Sequence, residues 1–431
     1  MARTAFVIAL CTLFTSSAFG EVTRTESQIV RTLTAQQNES IALLEQLVDI
    51  NSGTMNFTGV RKVADILAPK FEAIGFKTRW IDGAPFHRAG HLIAERAGKG
   101  PRVVLIGHLD TVFEPTSPFQ KSERVNKTTL KGPGTSDMKG GIVVMLAALN
   151  ALNDVHALDS LNITVVLHGD EEDAGDMPLA RNALVDAAKG ADVALGLENA
   201  ADDPSTVVTA RRSAGHWELR VKGATAHSSQ IFSEDVGAGA AYELSRILTA
   251  FYQELKNEQY LTINPGLIVG SAQVTYQNEP LQAQASGKNN IIAPVAIASG
   301  DIRAITVQQR DRAQTRMKQI VSASLPHASA EITFDAGYPP MSPTAGNLKL
   351  LQVYDAVSRD LGFGEVKAVD PRRAGAADIS FVAQEVKMAL DGLGLLGGGA
   401  HTPNEFADLR TFSIQSQRLA VLLLRLGEQK H

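Results

Sequence analysis

The spacing of apolar positions predicts two helices ahead of any strand. Apolar residues recur at helical spacing in 38–50 and in 59–76, with the turn residues NSG between them. The segment 102–113 (RVVLIGHLDTVF) is then a continuous apolar run that meets polar residues at His108. Such a run is typical of a strand buried on both faces of a parallel or mixed sheet. We therefore expect the first strand to follow both helices.

The next segments continue the alternation of helix and strand. A helical pattern covers 140–152, and apolar strand patterns cover 161–172 and 191–199. Near the end of the chain, amphipathic helices are predicted for 348–363 and 409–427. This order predicts an α/β fold in which helices cover both faces of a mixed sheet, an α/β/α arrangement.

The pattern changes between residues 213 and 337. Its predicted strands and helices follow the order βαββαβ, and they cover 216–223, 235–255, 267–276, 294–304, 307–323 and 328–337. That order is the ferredoxin-like split βαβ unit of a small α+β domain. We expect 213–337 to be inserted into a larger discontinuous domain formed by 21–212 and 338–431.

Composition narrows the class of protein. Of 431 residues, 44% are hydrophobic and 20% are charged, which excludes a disordered chain. The formal net charge of -5 lacks the basic excess of nucleic-acid binders, so we expect small-molecule substrates and no nucleic-acid partner.

The first twenty residues have the pattern of a secretory signal peptide. Arg3 precedes the apolar run AFVIALCTLF, and small residues lead to a cleavage site near Gly20. A lipoprotein anchor at Cys11 is the alternative, but the large Leu10 precedes it where a small residue is expected. Segment 1–20 therefore predicts a secreted or periplasmic protein with no membrane segment after cleavage. Because Cys11 is the only cysteine, a metal site in the mature chain would use His, Asp and Glu.

Five acidic or imidazole side chains lie at the ends of predicted strands or in the loops after them. They are His108, Asp137, Glu172, Glu198 and His401. Open α/β sheets bind ligands at this edge, and such a ligand set suits zinc, cobalt or manganese. Two divalent cations and one hydroxide would balance the three carboxylates, so a dinuclear site is electrostatically consistent.

Two further acids lie beside these candidate ligands. Asp110 is on the same strand face as His108 and is positioned to orient its imidazole. Glu171 precedes Glu172, and consecutive side chains of an extended segment diverge, so one can bind metal while the other faces the substrate as a general base. The remaining histidines are predicted to be structural or surface residues: His87, His91, His156, His168, His216, His327 and His431.

Together these motifs resemble those of the M20 family of dinuclear zinc peptidases and deacylases, above all its carboxypeptidase G2 (glutamate carboxypeptidase) branch. The similarity runs from SGTMNFTGV to HTPNEFADL. It implies two Zn²⁺ per subunit, with Co²⁺ or Mn²⁺ as alternatives, and a cis peptide after the bridging acid. In the roles that it implies, Asp137 bridges both metal ions. His108 and Glu198 complete the ligand set of one ion, and Glu172 and His401 complete that of the other. Glu171 would be the general base, and Asp110 would orient His108.

The resemblance also gives the inserted segment a role. It implies that 213–337, here called the lid, forms a homodimer, and that His227 reaches the partner subunit's active site to polarise the substrate carbonyl. It further implies that Asn290 and Arg303 hold the substrate carboxylate, while Gly375 begins a loop that lines the substrate pocket.

Two positions depart from the family pattern. The family's GGTD loop appears as GAAD at 375–378, where the methyl group of Ala376 would narrow the pocket, and Tyr338 stands where the glutamate-cleaving branch has an arginine. Arg211 or Arg212 is a candidate for the missing cation. These changes put glutamate preference in question and leave hydrolysis intact.

The sequence therefore predicts a secreted zinc carboxypeptidase that acts on a small peptide or N-acyl amino acid and releases C-terminal glutamate or a similar residue. An N-acyl-amino-acid deacylase or dipeptidase using the same residues is one alternative. A non-catalytic exported binding protein on this scaffold is another, although the complete ligand set and base argue against it. A serine hydrolase is disfavoured because the chain has no G-x-S-x-G motif.

Overall fold

The computed structural model describes residues 22–199, 203–278, 280–335 and 337–428. The predicted signal peptide 1–20 and His431 lie outside these residues, so export stays a prediction. None of the described helices combines the length and the apolar content needed to cross a bilayer.

Eight α-helices lie in the described residues. They are α1 (Arg24–Val48), α2 (Phe57–Ala73), α3 (Lys139–Asp154), α4 (Asn182–Ala188), α5 (Gly239–Leu255), α6 (Val307–Ser322), α7 (Ala345–Asp360) and α8 (Arg410–Glu428).

The same residues contain eighteen strands. The first nine are β1 (Lys77–Asp82), β2 (Gly90–Arg96), β3 (Arg102–His108), β4 (Glu123–Asn126), β5 (Thr129–Lys131), β6 (Asn162–His168), β7 (Val193–Gly196), β8 (Thr206–Val207) and β9 (Gly215–Gly223). The others are β10 (Thr262–Ser271), β11 (Gln273–Gln277), β12 (Gln282–Ser286), β13 (Val295–Arg303), β14 (Ala328–Phe334), β15 (Lys367–Ala368), β16 (Met388–Leu390), β17 (Gly397–Gly398) and β18 (Phe406–Asp408).

The main sheet has the strand order β1-β2-β6-β3-β7-β16. Its strands β6, β3, β7 and β16 run parallel, whereas β1 and β2 are antiparallel to their neighbours. The prediction of a mixed α/β sheet is therefore confirmed. Because β3, β6 and β7 are parallel, their carboxyl ends meet at one edge of the sheet.

Hydrophobic clusters cover both faces of this sheet. On one face α1, α3 and α8 pack together in the larger cluster. Helix α3 buries nearly its whole surface, as its sequence GGIVVMLAALNAL requires. On the other face, Leu184 and Ala188 of α4 pack with Ile379 and Val382. The result is an α/β/α sandwich.

The first strand follows both helices, as predicted, but it is β1 and not the segment 102–113. Strands β1 and β2 come first and form an antiparallel edge of the sheet. In β1 no residue is fully buried, so KTRWID lacks the apolar alternation that would reveal it. The first helix also starts earlier than 38, because Thr23 and Glu26 form a reciprocal capping box at its start.

The lid has its own sheet and core. Its strands follow the order β10-β13-β9-β14, all antiparallel, and α5 and α6 pack on one face. Along β9 the side chains of Trp217, Leu219 and Val221 alternate into that core. The strand expected at 267–276 is divided into β10 and β11, and β11 pairs with β12 in an additional hairpin. The polar sequence QAQAS of β12 gave no apolar signal for it.

Candidate metal centre and active site

The parallel strands bring several predicted site residues to one sheet edge. His108 is the last residue of β3 and lies in register with His168 at the end of β6. Glu171 and Glu172 follow β6 by three and four positions, and Glu198 follows β7 by two. Sequence-distant side chains meet here because each belongs to a strand that ends at the same edge.

Two other residues come from a second, smaller sheet. Its strand order is β17-β18-β5-β4. Because β18 pairs with β5, the loop after β5 lies close to the turn between β17 and β18. The first of these carries Asp137, whose peptide bond to Met138 is cis. The second carries His401 with φ of 61°, a left-handed conformation that is uncommon for residues other than glycine.

Asp137 lies at the centre of the cluster. Its Oδ1 is 3.2 Å from His108 Nε2, and its Oδ2 is 3.1 Å from His401 Nε2. Glu198 Oε1 is 3.6 Å from His108 Nε2, whereas Glu172 Oε2 is 3.1 Å from His401 Nε2. The structure thus arranges all five predicted ligands as two triads that share one carboxylate.

These separations fit metal ligation. Ligands about 2.1 Å from a tetrahedral ion are spaced about 3.4 Å from one another. Among the described residues, His108, Asp137 and Glu172 each offer one ligand atom, and these three atoms lie within 4.8 Å of one another. This set joins the two triads through the carboxylate that they share. The donor set of imidazole nitrogen and carboxylate oxygen suits zinc, cobalt or manganese. The residues present therefore fit a resident metal.

Asp110 holds this edge of the sheet together. Its Oδ1 lies 3.3 Å from His108 Nδ1, and Oδ2 accepts a hydrogen bond of 2.7 Å from Thr54. The backbone N–H groups of Glu171 and Glu172 donate to its two oxygens, each at 3.1 Å. Asp110 therefore fixes both the imidazole and the backbone that carries the two glutamates.

The cluster strongly shifts the pKa values of its members. Hydrogen bonds to Asp137 and Glu172 raise the pKa of His401 to about 11. Burial opposes protonation of His108, but its hydrogen bonds to Asp110 and Asp137 outweigh burial and raise its pKa well above the usual range. Burial raises the pKa of Glu198 to about 8. Such mutual perturbation is typical of functional sites.

Glu171 differs from the other carboxylates of the cluster because it has no imidazole partner among the described ion pairs. Burial raises its pKa well above the usual range, and the carboxylates of Asp378 and Glu198 add to that rise. A carboxylate with a raised pKa is a stronger base, which suits proton transfer near neutral pH.

The contacts described for three predicted substrate residues, His227, Asn290 and Arg303, are with other residues of the lid. His227 bonds Ser229 within the lid, with Nδ1 and Oγ 2.8 Å apart, and its Nε2 is 3.5 Å from Asn290 Nδ2. Arg303, at the end of β13, donates from Nε to Asp301 at 2.9 Å. The structure brings His227 and Asn290 together and places them on the exposed surface of the lid.

Gly375 lies on the loop between β15 and β16, where its carbonyl accepts a 2.7 Å hydrogen bond from Arg211. Arg211 is buried and also donates to Asp391, whose other oxygen accepts from the backbone N–H of Glu198. Arg211 is therefore occupied in supporting the metal edge, which argues against it as a replacement substrate cation.

Sequence reasoning missed Glu405. This buried carboxylate accepts hydrogen bonds from the backbone N–H groups of Gly134, Ser136 and Asp137 at 2.9, 2.9 and 3.1 Å. Burial raises its pKa to about 7. It clamps the loop that presents Asp137, and its place four residues after His401 in HTPNE was the available signal.

A second omission is the buried Arg181. Its guanidinium donates to Asp378 at 2.7 Å, to the carboxylate of Asp170 at 2.8 Å and to the carbonyl of Asp170 at 3.0 Å. His168 also contacts Asp378 through Nδ1. No sequence pattern indicated this network, because Asp378 lies about 200 residues from its partners Arg181 and His168.

Comparison with known proteins places the chain in a family. The chain is 24% identical to carboxypeptidase G2 from Pseudomonas sp. (strain RS-16) over 431 residues, which cover 99% of each chain. It is 27% identical over 233 residues, 52% of this chain and 54% of the other, to a probable succinyl-diaminopimelate desuccinylase from Staphylococcus aureus (strain MSSA476).

A solved structure shares the fold. The Bacillus subtilis YXEP protein, described as a dinuclear metal-binding peptidase from the M20 family, superimposes with a TM-score of 0.65 at 15% identity, over 92% of this chain and 100% of that one. The model of peptidase family M20/M25/M40 matches residues 104–425, which include every predicted ligand. The chain therefore belongs to peptidase family M20/M25/M40, whose members are metal-dependent hydrolases.

Proposed function

We propose that this protein is an exported carboxypeptidase that hydrolyses an amide bond next to a free α-carboxylate and releases glutamate or a similar amino acid. The observation that carries the proposal is the two-sided placement of Asp137, with one imidazole and one further carboxylate on each side. Two Zn²⁺ ions would be held by these five residues, with Co²⁺ or Mn²⁺ as alternatives. The full-length similarity to carboxypeptidase G2 supports this activity over others in the family.

The bound metals would supply polarisation of the substrate carbonyl and acidification of the attacking water. Glu171 takes a proton from that water and delivers it to the leaving amine. Its basicity comes from burial, which raises its pKa, and its position comes from the backbone bonds to Asp110. His108 and His401 are oriented for ligation by the carboxylates around them.

The lid residues would recognise the substrate. Arg303 offers a planar guanidinium for the α-carboxylate. Asn290 lies beside His227 and offers an amide donor to the substrate. His227 would stabilise the oxyanion in the partner subunit of a homodimer formed by the lid. The exposure of His227 and Asn290 supports this role, because an exposed pair on the lid can meet a second subunit.

Glu171→Gln tests the mechanism. We expect turnover to fall about 10²- to 10⁴-fold, because a positioned general base supplies about that factor. Metal content, measured by elemental analysis, stays at the wild-type value. The surface variant Glu385→Gln is the control and keeps both. A Glu171→Gln protein with normal turnover and both metals would refute the mechanism, and a wild-type protein that binds no metal would support a non-catalytic binding protein instead.

A deacylase or dipeptidase is the second candidate function. Tyr338 favours it, because this residue stands where the glutamate-cleaving branch has an arginine, and its hydroxyl is already bonded to Arg181 and a backbone carbonyl. The similarity to a probable succinyl-diaminopimelate desuccinylase also favours it. Metal-loaded protein should be tested on acyl-glutamates, N-acetyl and N-succinyl amino acids and dipeptides, with products identified by mass spectrometry. Preference for acyl-glutamates supports the first function, and preference for another class supports the second.

Export rests on residues 1–20 alone. Expression of the full chain, followed by N-terminal sequencing of the periplasmic or secreted fraction, should give a mature protein that starts close to Glu21. Recovery of uncleaved protein only from the cytoplasm would contradict export without affecting the activity.

A further inference from the structure

The peptide group between Glu171 and Glu172 is held at both of its polar ends. Its N–H donates to Asp110 Oδ2 at 3.1 Å, and its carbonyl accepts a hydrogen bond of 3.0 Å from the hydroxyl of Tyr338. This one peptide carries the proposed base on one side and a proposed metal ligand on the other. Its orientation therefore affects both side chains.

The Tyr338 hydroxyl is itself fixed. It accepts a 3.0 Å hydrogen bond from Arg181 Nη2, and the phenol ring packs edge-on against Phe381 with the centroids 4.9 Å apart. Arg181 is only 2% exposed and is anchored by Asp170 and Asp378. A hydroxyl that accepts from a buried cation has its proton directed elsewhere, here at the Glu171 carbonyl.

Tyr338 also lies where the chain passes between the lid and the main sheet. Its backbone exchanges two hydrogen bonds with Ala214, at 2.7 and 3.0 Å. Ala214 directly precedes β9, one of the two inner strands of the lid sheet, and Tyr338 lies four positions after the end of β14. The two chain segments that connect the lid to the rest of the molecule are therefore hydrogen-bonded to each other at Tyr338. The hydroxyl of the same residue bonds the backbone of Glu171.

We infer that Tyr338 is a positioning residue for Glu171. Its hydroxyl, oriented by Arg181, sets the direction of the 171–172 peptide and links it to the lid connection. This inference rests on the proposed function for its catalytic consequence, while the contact itself does not depend on activity. Tyr338 touches no reacting atom, so its effect on hydrolysis passes through Glu171.

Tyr338→Phe removes the hydroxyl and keeps the ring. Tyr354→Phe is the matched control, because Tyr354 is also buried, lies beside the buried arginine Arg418 and has its hydroxyl 3.5 Å from Gln415, outside the site. We expect Tyr338→Phe to lower kcat about tenfold, since small displacements of a reacting group are enough for that, with KM changed less than about twofold. Tyr354→Phe should leave both constants near wild type.

Hydrogen exchange provides a readout that needs no substrate. In metal-loaded protein, Tyr338→Phe should speed amide exchange in peptides covering 170–173, because the bonds of Glu171 and Glu172 to Asp110 open more often. Tyr354→Phe should leave that segment unchanged.

Unchanged exchange at 170–173 in Tyr338→Phe would overturn the inference, as would equal loss of kcat in both variants. A wild-type protein inactive on the whole substrate panel would instead refute the proposed function. In that case the exchange result alone would decide whether Tyr338 holds the peptide.

Discussion

The metal edge and the lid surface are built in opposite ways. At the metal edge the two supporting carboxylates are each fixed by several partners: Asp110 receives hydrogen bonds from Thr54 and two backbone amides, and Glu405 receives three from the Asp137 loop. On the lid, His227 and Asn290 are exposed, and the contacts described for them are to neighbouring lid residues.

The difference separates the residues that would hold the metals and move the proton from those that would contact the substrate. Buried, cross-linked donors and acceptors are preorganised, so little reorganisation is needed when the reaction begins. Exposed side chains retain rotamer freedom and lose it only when another surface meets them. Changes at the metal edge should therefore affect metal affinity and kcat, whereas a change at Arg303 of the lid should affect substrate binding and leave metal affinity unchanged.

Glu405→Gln tests whether the metal edge depends on its buried supporting carboxylates. The amide nitrogen cannot accept a hydrogen bond, so at least one of the three N–H groups of the Asp137 loop loses its acceptor. We expect affinity for Zn²⁺ to fall about 10- to 100-fold, as for other residues that orient metal ligands. Competition with a chromophoric chelator measures this affinity.

Glu385→Gln, on the surface, is the matched control for the loss of one carboxylate and should retain wild-type affinity. Wild-type Zn²⁺ affinity in Glu405→Gln would show that the loop is held by other contacts and that the metal edge is less preorganised than described.

The next effect, on substrate binding and not on metal affinity, is expected from Arg303→Ala on the lid. Loss of the guanidinium removes the proposed partner of the substrate carboxylate, so kcat/KM should fall about 30-fold, mainly through KM. Metal affinity should not change. Arg303→Lys, which keeps the charge and loses the planar fork, should recover only part of the activity.

Arg312→Ala removes an arginine that is 67% exposed on the same domain and serves as the control. If Arg303→Ala lowered metal affinity, or if Arg312→Ala raised KM equally, Arg303 would not be a residue that acts on substrate binding alone.

The features that could be predicted from the sequence are mainly those of the buried metal edge. Apolar runs that end in His108 or before Glu172 exposed the main strands and their ligands, because burial on both faces leaves a continuous signal. The β11–β12 hairpin and the edge strand β1 were missed because both are largely exposed. Arg181 and Glu405 were missed for another reason: their partners are 11 to 271 residues away in the chain, and only folding brings them together.

The smallest predicted effect compares one ion pair from each part of the molecule. Glu26 in α1 is buried, accepts a 2.7 Å hydrogen bond from Arg425 of α8 and is bonded to the backbone of Thr23. Burial alone would raise its pKa, but the bonds to Arg425 and Thr23 outweigh burial and lower it. A lowered pKa means that ionised Glu26 stabilises the fold above its unfolded pKa near 4, and that this stabilisation is lost as the pH falls through the folded pKa.

Glu26→Gln should therefore reduce the free energy of unfolding by about 1 to 2 kcal/mol at pH 7, as expected for a hydrogen bond to a charged group, and by progressively less as the pH falls below about 4. Urea titrations at several pH values measure it. Glu254→Gln, which removes the exposed lid partner of Arg316, is the matched control and should cost nothing measurable at any pH, because solvent screens exposed pairs. The prediction fails if both variants lose the same free energy of unfolding, or if the loss in Glu26→Gln grows as the pH falls. Either result would mean that a buried ion pair in the helix layer stabilises the fold no more than an exposed ion pair on the lid.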